Sequence, residues 1–236
     1  MKTSIYRSED RGHANHGWLV ARHSFSFASW YNPSQINFGV LRVLNDDIIA
    51  AGAGFPTHPH DNMEIITIPL SGTLEHKDSM GNKAQIKTGE VQVMSAGTGV
   101  THSEYNASQT EELKLFQIWL FPNKKNVEPR YDQQSINTDL KNEWHDVITP
   151  SKSDDSMWLH QEAWMSIGEF DASSKLSYDL RGKNSGVYIM VIEGSISIGD
   201  TELKKRDAIG IEEVGKVHIS ATKNARILLM ELPMEI

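Results

Sequence analysis

An all-β protein, built as two sandwich or barrel units in tandem, is the fold class the sequence predicts. Three observations predict it. Short runs rich in β-branched and aromatic residues recur along the chain, turn residues separate them, and one strand–turn–strand order occurs twice. Closely spaced short strands of this kind argue for a sandwich or barrel over a parallel α/β sheet.

The strand signals in order are "FGVLRVL" (38–44), "MEIITIPL" (63–70), "EVQVMSA" (90–96) and "LKLFQIWLF" (113–121). They continue in "GVYIMVIEG" (186–194), "SISIG" (195–199) and "ARILLMELP" (225–233). Between the two groups, 121–155 is polar, contains three prolines and shows no sustained periodicity, so it reads as a connection. The expected division is 1–135 for an N-terminal metal-binding unit and 136–236 for a degenerate C-terminal unit without metal.

The repeated order runs from Pro69 and again from Val191: apolar strand, a small-Gly-hydroxyl step, a second strand, a turn, then a charged step into an apolar strand. It pairs Gly72 with Gly194 and Gly89 with Asp207. Hairpins in any β protein could produce such an order, so duplication stays open at this point.

Composition narrows the chemistry. With 236 residues and 39% hydrophobic content, the chain can bury a core without staples. It has no cysteine, which excludes disulfides, zinc–thiolate sites and thiol nucleophiles. The net charge of −8, with no basic run longer than Lys204-Lys205-Arg206, disfavours direct nucleic-acid binding. The polar N-terminal segment and the short apolar runs predict a cytoplasmic protein with no membrane association.

Any reaction must therefore come from histidines, carboxylates, hydroxyls or a bound metal, and two pairs stand out. In "FPTHPHDNME", His58 and His60 are i and i+2; in "GVTHSEYN", His102 and Glu104 are i and i+2. Alternate residues of a strand share a face about 7 Å apart at Cα, so two imidazoles can converge on one ion with bonds of about 2.1 Å. Two such strands side by side would supply three imidazoles and a carboxylate. That set suits Fe(II), Mn, Ni, Co or Cu with open positions better than a closed structural zinc site. Glu64 lies an even number of residues after His60, so spacing alone leaves the carboxylate open between Glu64 and Glu104.

These residues resemble the cupin signature. The first cupin motif, G-x5-H-x-H-x3,4-E-x6-G, is matched by Gly52, His58, His60 and Glu64, with seven residues before Gly72. The end of the second, G-x2-H-x3-N, is matched by Gly99, His102 and Asn106. Nine residues separate Gly89 from Gly99 where the pattern has seven, and Ser95 stands where proline is preferred. "DRGHANHGW", "HSFSFASWYNP", "THPHDNMEIITIPLSGTLEHKDSMGNK" and "GEVQVMSAGTGVTHSEYN" are similar to the pirin family, in particular its bacterial quercetin 2,3-dioxygenase members.

The resemblance implies two tandem cupin domains and one divalent transition metal, Fe(II) before Mn, Ni, Co, Cu or Zn. It implies His58, His60, His102 and Glu104 as ligands, Glu104 also as the proton acceptor, and Glu64 as a supporting carboxylate. It further implies a metal-dependent, O2-using dioxygenase that opens the heterocyclic ring of flavonols such as quercetin. The alternative it carries is a metal-containing, redox-sensing protein that regulates an enzyme or transcription factor through a protein partner. A monomer or weak dimer is expected.

Counting back from Gly194, the second unit has Leu180 and Gly182 where the first has its H-x-H pair, and only His218 corresponds to the second motif's histidine. His218 and His160 are therefore read as strand histidines without a catalytic role, and His13 and His16 as structural. The six tryptophans are read as core or interface residues.

Overall fold

The computed structural model describes residues 1–136, 141–153 and 155–236. The N-terminal part supplies β1 (Lys2–Tyr6), β2 (Gly12–Asn15), β3 (Leu19–His23), β4 (Leu41–Ile49), β5 (Gly54–His60) and β6 (Glu64–Ser71). It continues with β7 (Thr73–Asp78), β8 (Lys83–Lys87), β9 (Glu90–Ser95), β10 (Val100–Asn106), β11 (Leu113–Leu120) and β12 (Arg130–Ser135). The C-terminal part supplies β13 (His145–Thr149), β14 (Met157–Trp158), β15 (Trp164–Phe170), β16 (Lys175–Asp179) and β17 (Ser185–Glu193). Its remaining strands are β18 (Ser195–Ile198), β19 (Thr201–Lys204), β20 (Ala208–Glu212), β21 (Lys216–Ala221) and β22 (Ala225–Pro233). Among the described residues no helix is long and apolar enough to cross a membrane.

The strands form two lobes of one topology, as the all-β tandem reading expects. In the first, the sheet β12-β9-β6-β11-β4-β3-β2 faces β5-β10-β7-β8; in the second, β1-β20-β17-β22-β15-β13-β14 faces β16-β21-β18-β19. Position by position, β6 corresponds to β17, β11 to β22 and β10 to β21. The two seven-stranded sheets pack back to back, where Ile66, Ile68, Phe116 and Ile118 meet Tyr188, Met190, Leu228 and Met230.

This layering explains the continuous apolar run of β17. Successive side chains point to opposite faces, so Tyr188 and Met190 enter the core between lobes while Val187, Ile189 and Val191 enter the second lobe's own core. In the first lobe the outward face of β11 is equally apolar, but its inward face carries Gln117 and Trp119 beside Leu113 and Leu115. Gln117 and Trp119 there line a cavity.

Two sequence expectations change in detail. Strand β1 lies at the edge of the second lobe's sheet, pairing from Lys2↔Glu212 to Tyr6↔Ala208, so residues at the start of the 1–135 segment belong structurally with the 136–236 segment. The repeat holds at Gly72 and Gly194, which both occupy the left-handed region, at φ 88° and 80°. Further on it is displaced by one: Glu90 and Asp207 are the counterparts, because each accepts the backbone N–H three residues before it, from Lys87 at 2.7 Å and Lys204 at 3.1 Å. Arg206, at φ 69°, then stands in for Gly89.

Candidate metal centre

The H-P-H pair closes β5, and β10 lies beside it in antiparallel register with His102 directly opposite His58 and Val100 opposite His60. Strand alternation aims both β5 imidazoles at His102. The three rings cluster with centroids 4.4 Å apart for His58 and His102, and 4.9 Å for His58–His60 and His60–His102. One nitrogen from each lies within 4.8 Å of the others. A register irregularity in β10 between His102 and Glu104 interrupts its ladder with β5, while the β7 ladder continues unbroken.

Each imidazole is prepared for coordination. His58 Nδ1 donates to the Pro56 carbonyl at 2.8 Å, which leaves its Nε2 lone pair free. His102 is 1% exposed, and neither of its ring nitrogens has a hydrogen-bond partner. Buried polar atoms are seldom left so, and a metal would satisfy one of them. Burial and the neighbouring imidazoles hold His60 neutral, its pKa lowered to about 4, and lower that of His102 to about 2. Neutral imidazole is the metal-binding form.

Glu104 shares the inward face of β10 with His102. Gln117 Nε2 donates to both of its oxygens, at 3.1 and 2.9 Å, and Thr67 Oγ1 donates to Gln117 Oε1 at 2.8 Å. Burial raises the Glu104 pKa to about 7, against the lowering effect of the Gln117 and Thr67 contacts. Gln117 and Thr67 belong to a buried polar row that crosses five strands of the large sheet in register: Gln92, Thr67, Gln117, Asn45 and His23.

The sequence reading missed His76. It lies on β7 opposite Glu104, is fully buried, and forms a second close group with His102 and Glu104. Its Nε2 contacts Asp78 Oδ2 at 3.1 Å, and its Nδ1 has no partner. His102 thus joins two groups, one with His58 and His60 and one with His76 and Glu104. Three imidazoles, a carboxylate and an adjoining fourth imidazole fit a divalent first-row ion.

Glu64 stands elsewhere. Strand β5 ends at His60, Asn62 turns the chain at φ 44°, and β6 restarts the alternation at Glu64. Thr67 faces Glu104 and Gln117, so Glu64, three residues earlier, faces the opposite way. It accepts from Ser95 Oγ at 2.7 Å, and burial raises its pKa to about 7.

His58, His60, Glu104 and Gln117 line a cavity. Leu19, Ile49, Phe55, Leu74 and Leu115 make its apolar wall, and His23, Asn45 and Asp47 add a polar patch from β3 and β4. Trp119, read from sequence as core or interface, instead lines this cavity edge-on to His60 with ring centroids 4.9 Å apart. His13 and His16 are exposed and do not line it.

In the second lobe, apolar residues take the places of the first lobe's cluster. Leu74↔Asn106 in the first lobe corresponds to Ile196↔Ala221 in the second, which matches His102 with Val217 and Glu104 with Ile219. Both are core residues, and Tyr178 sits opposite Val217 where His58 sits opposite His102. The positions matching the H-x-H pair are therefore Tyr178 and Leu180, two residues before those obtained by counting. His218 falls one place out of phase and is exposed.

Comparison with known proteins agrees with this geometry. Residues 6–120 match the family model described as pirin, and 147–232 match the quercetinase C-terminal cupin domain. The chain is 42% identical over 233 residues to the quercetin 2,3-dioxygenase of Escherichia coli K12, covering 97% of this chain and 98% of that protein. It is 37% identical over 222 residues to a pirin-like protein of Caulobacter vibrioides, covering 93% and 95%. The crystal structure of the bacterial pirin YhhW in complex with nickel(II), from Escherichia coli, superposes with a TM-score of 0.94 at 40% identity, covering all of both chains. With tandem cupin lobes, a histidine cluster in the first of them and relatives matched along nearly its whole length, the chain belongs to the pirin family.

Proposed function

We propose that the protein is a metal-dependent dioxygenase that opens the heterocyclic ring of flavonols such as quercetin, with His58, His60, His102 and Glu104 as the metal ligands. The observation that carries this reading is the convergence of three imidazoles, one of them also grouped with the buried Glu104, beside a mainly apolar cavity that His58, His60 and Glu104 line. The quercetin 2,3-dioxygenase name of the E. coli relative supports the substrate class.

A bound divalent ion would supply Lewis acidity that lowers the pKa of a flavonol hydroxyl. The chain's own residues do the rest. Glu104 takes the proton of the 3-hydroxyl on a carboxylate oxygen, and Gln117 fixes that carboxylate's orientation. Leu74, Leu115 and Phe55 exclude water from the ring that is to be cleaved. The overall reaction consumes one O2 and releases carbon monoxide.

Metal analysis of the untagged protein followed by oxygen uptake with quercetin tests this reading. Expected are about one ion per chain and oxygen consumption matched to quercetin loss. Reconstitution with Fe(II) and with Ni(II) in parallel identifies the ion that supports turnover. Turnover that persists anaerobically, or a metal-loaded protein inert towards every flavonol, would overturn it.

A further inference from the structure

Asp47 is a buried acid that the proposed chemistry does not use. It is 4% exposed, lines the same cavity as His58, His60 and Glu104, and its Oδ1 has no hydrogen-bond partner. Its cross-strand neighbours are Leu115 and Ala21, neither of which offers a side-chain donor. A carboxyl left this way costs folding free energy, so a ligand that satisfies it gains what the fold has forgone.

Its surroundings give the patch direction. Asn45, two residues earlier on the same face of β4, accepts from His23 Nδ1 at 2.9 Å through its Oδ1. That bond turns the Asn45 amide so that its carbonyl is occupied and its NH2 remains to donate. Asp47 and Asn45 therefore form one polar patch, while Ile49, Leu19 and Leu115 beside them are apolar. Asn45 stands opposite Gln117, which holds Glu104, so one polar row runs from Glu104 to Asn45 and Asp47 beside a hydrocarbon wall, and a flat aromatic ligand carrying several hydroxyls matches that pattern.

Resting on the flavonol reading above, we propose that Asp47, assisted by Asn45, is a substrate-positioning residue that binds a phenolic hydroxyl other than the 3-hydroxyl. The site would thereby select polyhydroxylated flavonols over bare ones. A pocket built to hydrogen-bond a hydroxyl discriminates strongly against ligands lacking it, because its own polar group is then left unpaired.

The test measures binding, so that turnover is not the only readout. Quercetin and 3-hydroxyflavone share the 3-hydroxyl and 4-carbonyl edge and differ in the four further hydroxyls that only quercetin carries. Their dissociation constants are measured on the metal-loaded protein and on Asp47→Leu and Asp47→Asn, with resorcinol as a non-chelating diphenol followed by NMR. The expected wild-type preference for quercetin is about tenfold or more, from one hydrogen bond to a carboxyl. It collapses in Asp47→Leu, is partly kept in Asp47→Asn, and resorcinol binding weakens in the same order. Melting temperatures at or above wild type would show that the variants fold.

A preference that survives in both variants, with resorcinol binding unchanged, would overturn the proposal. Failure of both flavonols to bind wild-type protein while resorcinol still depends on Asp47 would sink the flavonol reading and leave the positioning role standing. Failure of all three ligands to bind would overturn both.

Discussion

Gln117 holds both oxygens of Glu104 through a single amide nitrogen, at 3.1 and 2.9 Å. The amide is itself oriented by Thr67, so the carboxylate's position is set by side chains from two neighbouring strands of the large sheet. A partner that orients a metal-binding carboxylate is commonly worth 10–100-fold in metal affinity. Gln117→Leu is expected to weaken metal binding by about that factor, measured by competition with a chelator, while near-ultraviolet circular dichroism stays native.

The two close groups around His102 make unequal demands on their members. His102→Ala removes the residue common to both and is expected to abolish stoichiometric metal binding. His58→Ala and His60→Ala each leave two imidazoles and should bind weakly enough to lose the ion on dialysis. Glu64→Gln should retain a full complement, because Glu64 faces away from the cluster and engages Ser95. Metal content by mass spectrometry separates these cases, and a Glu64→Gln variant without metal would refute the parity argument.

How much of this was legible depended on whether a signal was local. The strands were legible because alternation and turn residues are local, and both i, i+2 pairs were legible for the same reason. The choice between Glu64 and Glu104 was not, since the turn at Asn62 resets which face β6 presents and no spacing rule reports that turn. His76 lies in "TLEHKD", where Leu74 and His76 point inward, but a lone histidine in a polar hairpin looks like surface. Asn45 and Asp47 left a trace that could have been followed: with Asp46 they form a polar run inside the strand "LRVLNDDII", and the two, at i and i+2, share one face. The placement of β1 in the second lobe depends on pairing across some 200 residues, and "KTSIY" contains nothing that names its partner.

Gly194 tests the repeated turn on which both lobes depend. At φ 80° its conformation is unfavourable to other residues, and an added Cβ would fall 1.8 Å from the Asn224 carbonyl oxygen. Gly199 also has a positive φ, of 56°, but open space around it. Gly199→Ala should cost only the left-handed penalty, about 1–2 kcal/mol. Gly194→Ala adds a collision with backbone and should cost about 3 kcal/mol or more. Denaturant unfolding of the two variants measures the difference, and equal losses would show that the Asn224 loop yields freely.

Glu64 gives a pH dependence of defined sign. Its folded pKa is raised to about 7 from 4.5 by burial, partly opposed by the bond from Ser95 and the charge of Arg130. The folded state therefore binds this proton more tightly than the unfolded chain. The stabilisation is fully present below the unfolded value and is lost as pH rises through about 7, where a charge must be buried. Glu64→Gln removes the titration but keeps the shape. At pH 4 the variant should match wild type closely, and by pH 8 it should be the more stable by up to about 3 kcal/mol, at 1.36 kcal/mol per pKa unit. Because both proteins share every other titrating group, the difference between their unfolding free energies isolates Glu64. A gap that stays flat from pH 4 to pH 8 would mean that Arg130 or bound water already neutralises the buried charge.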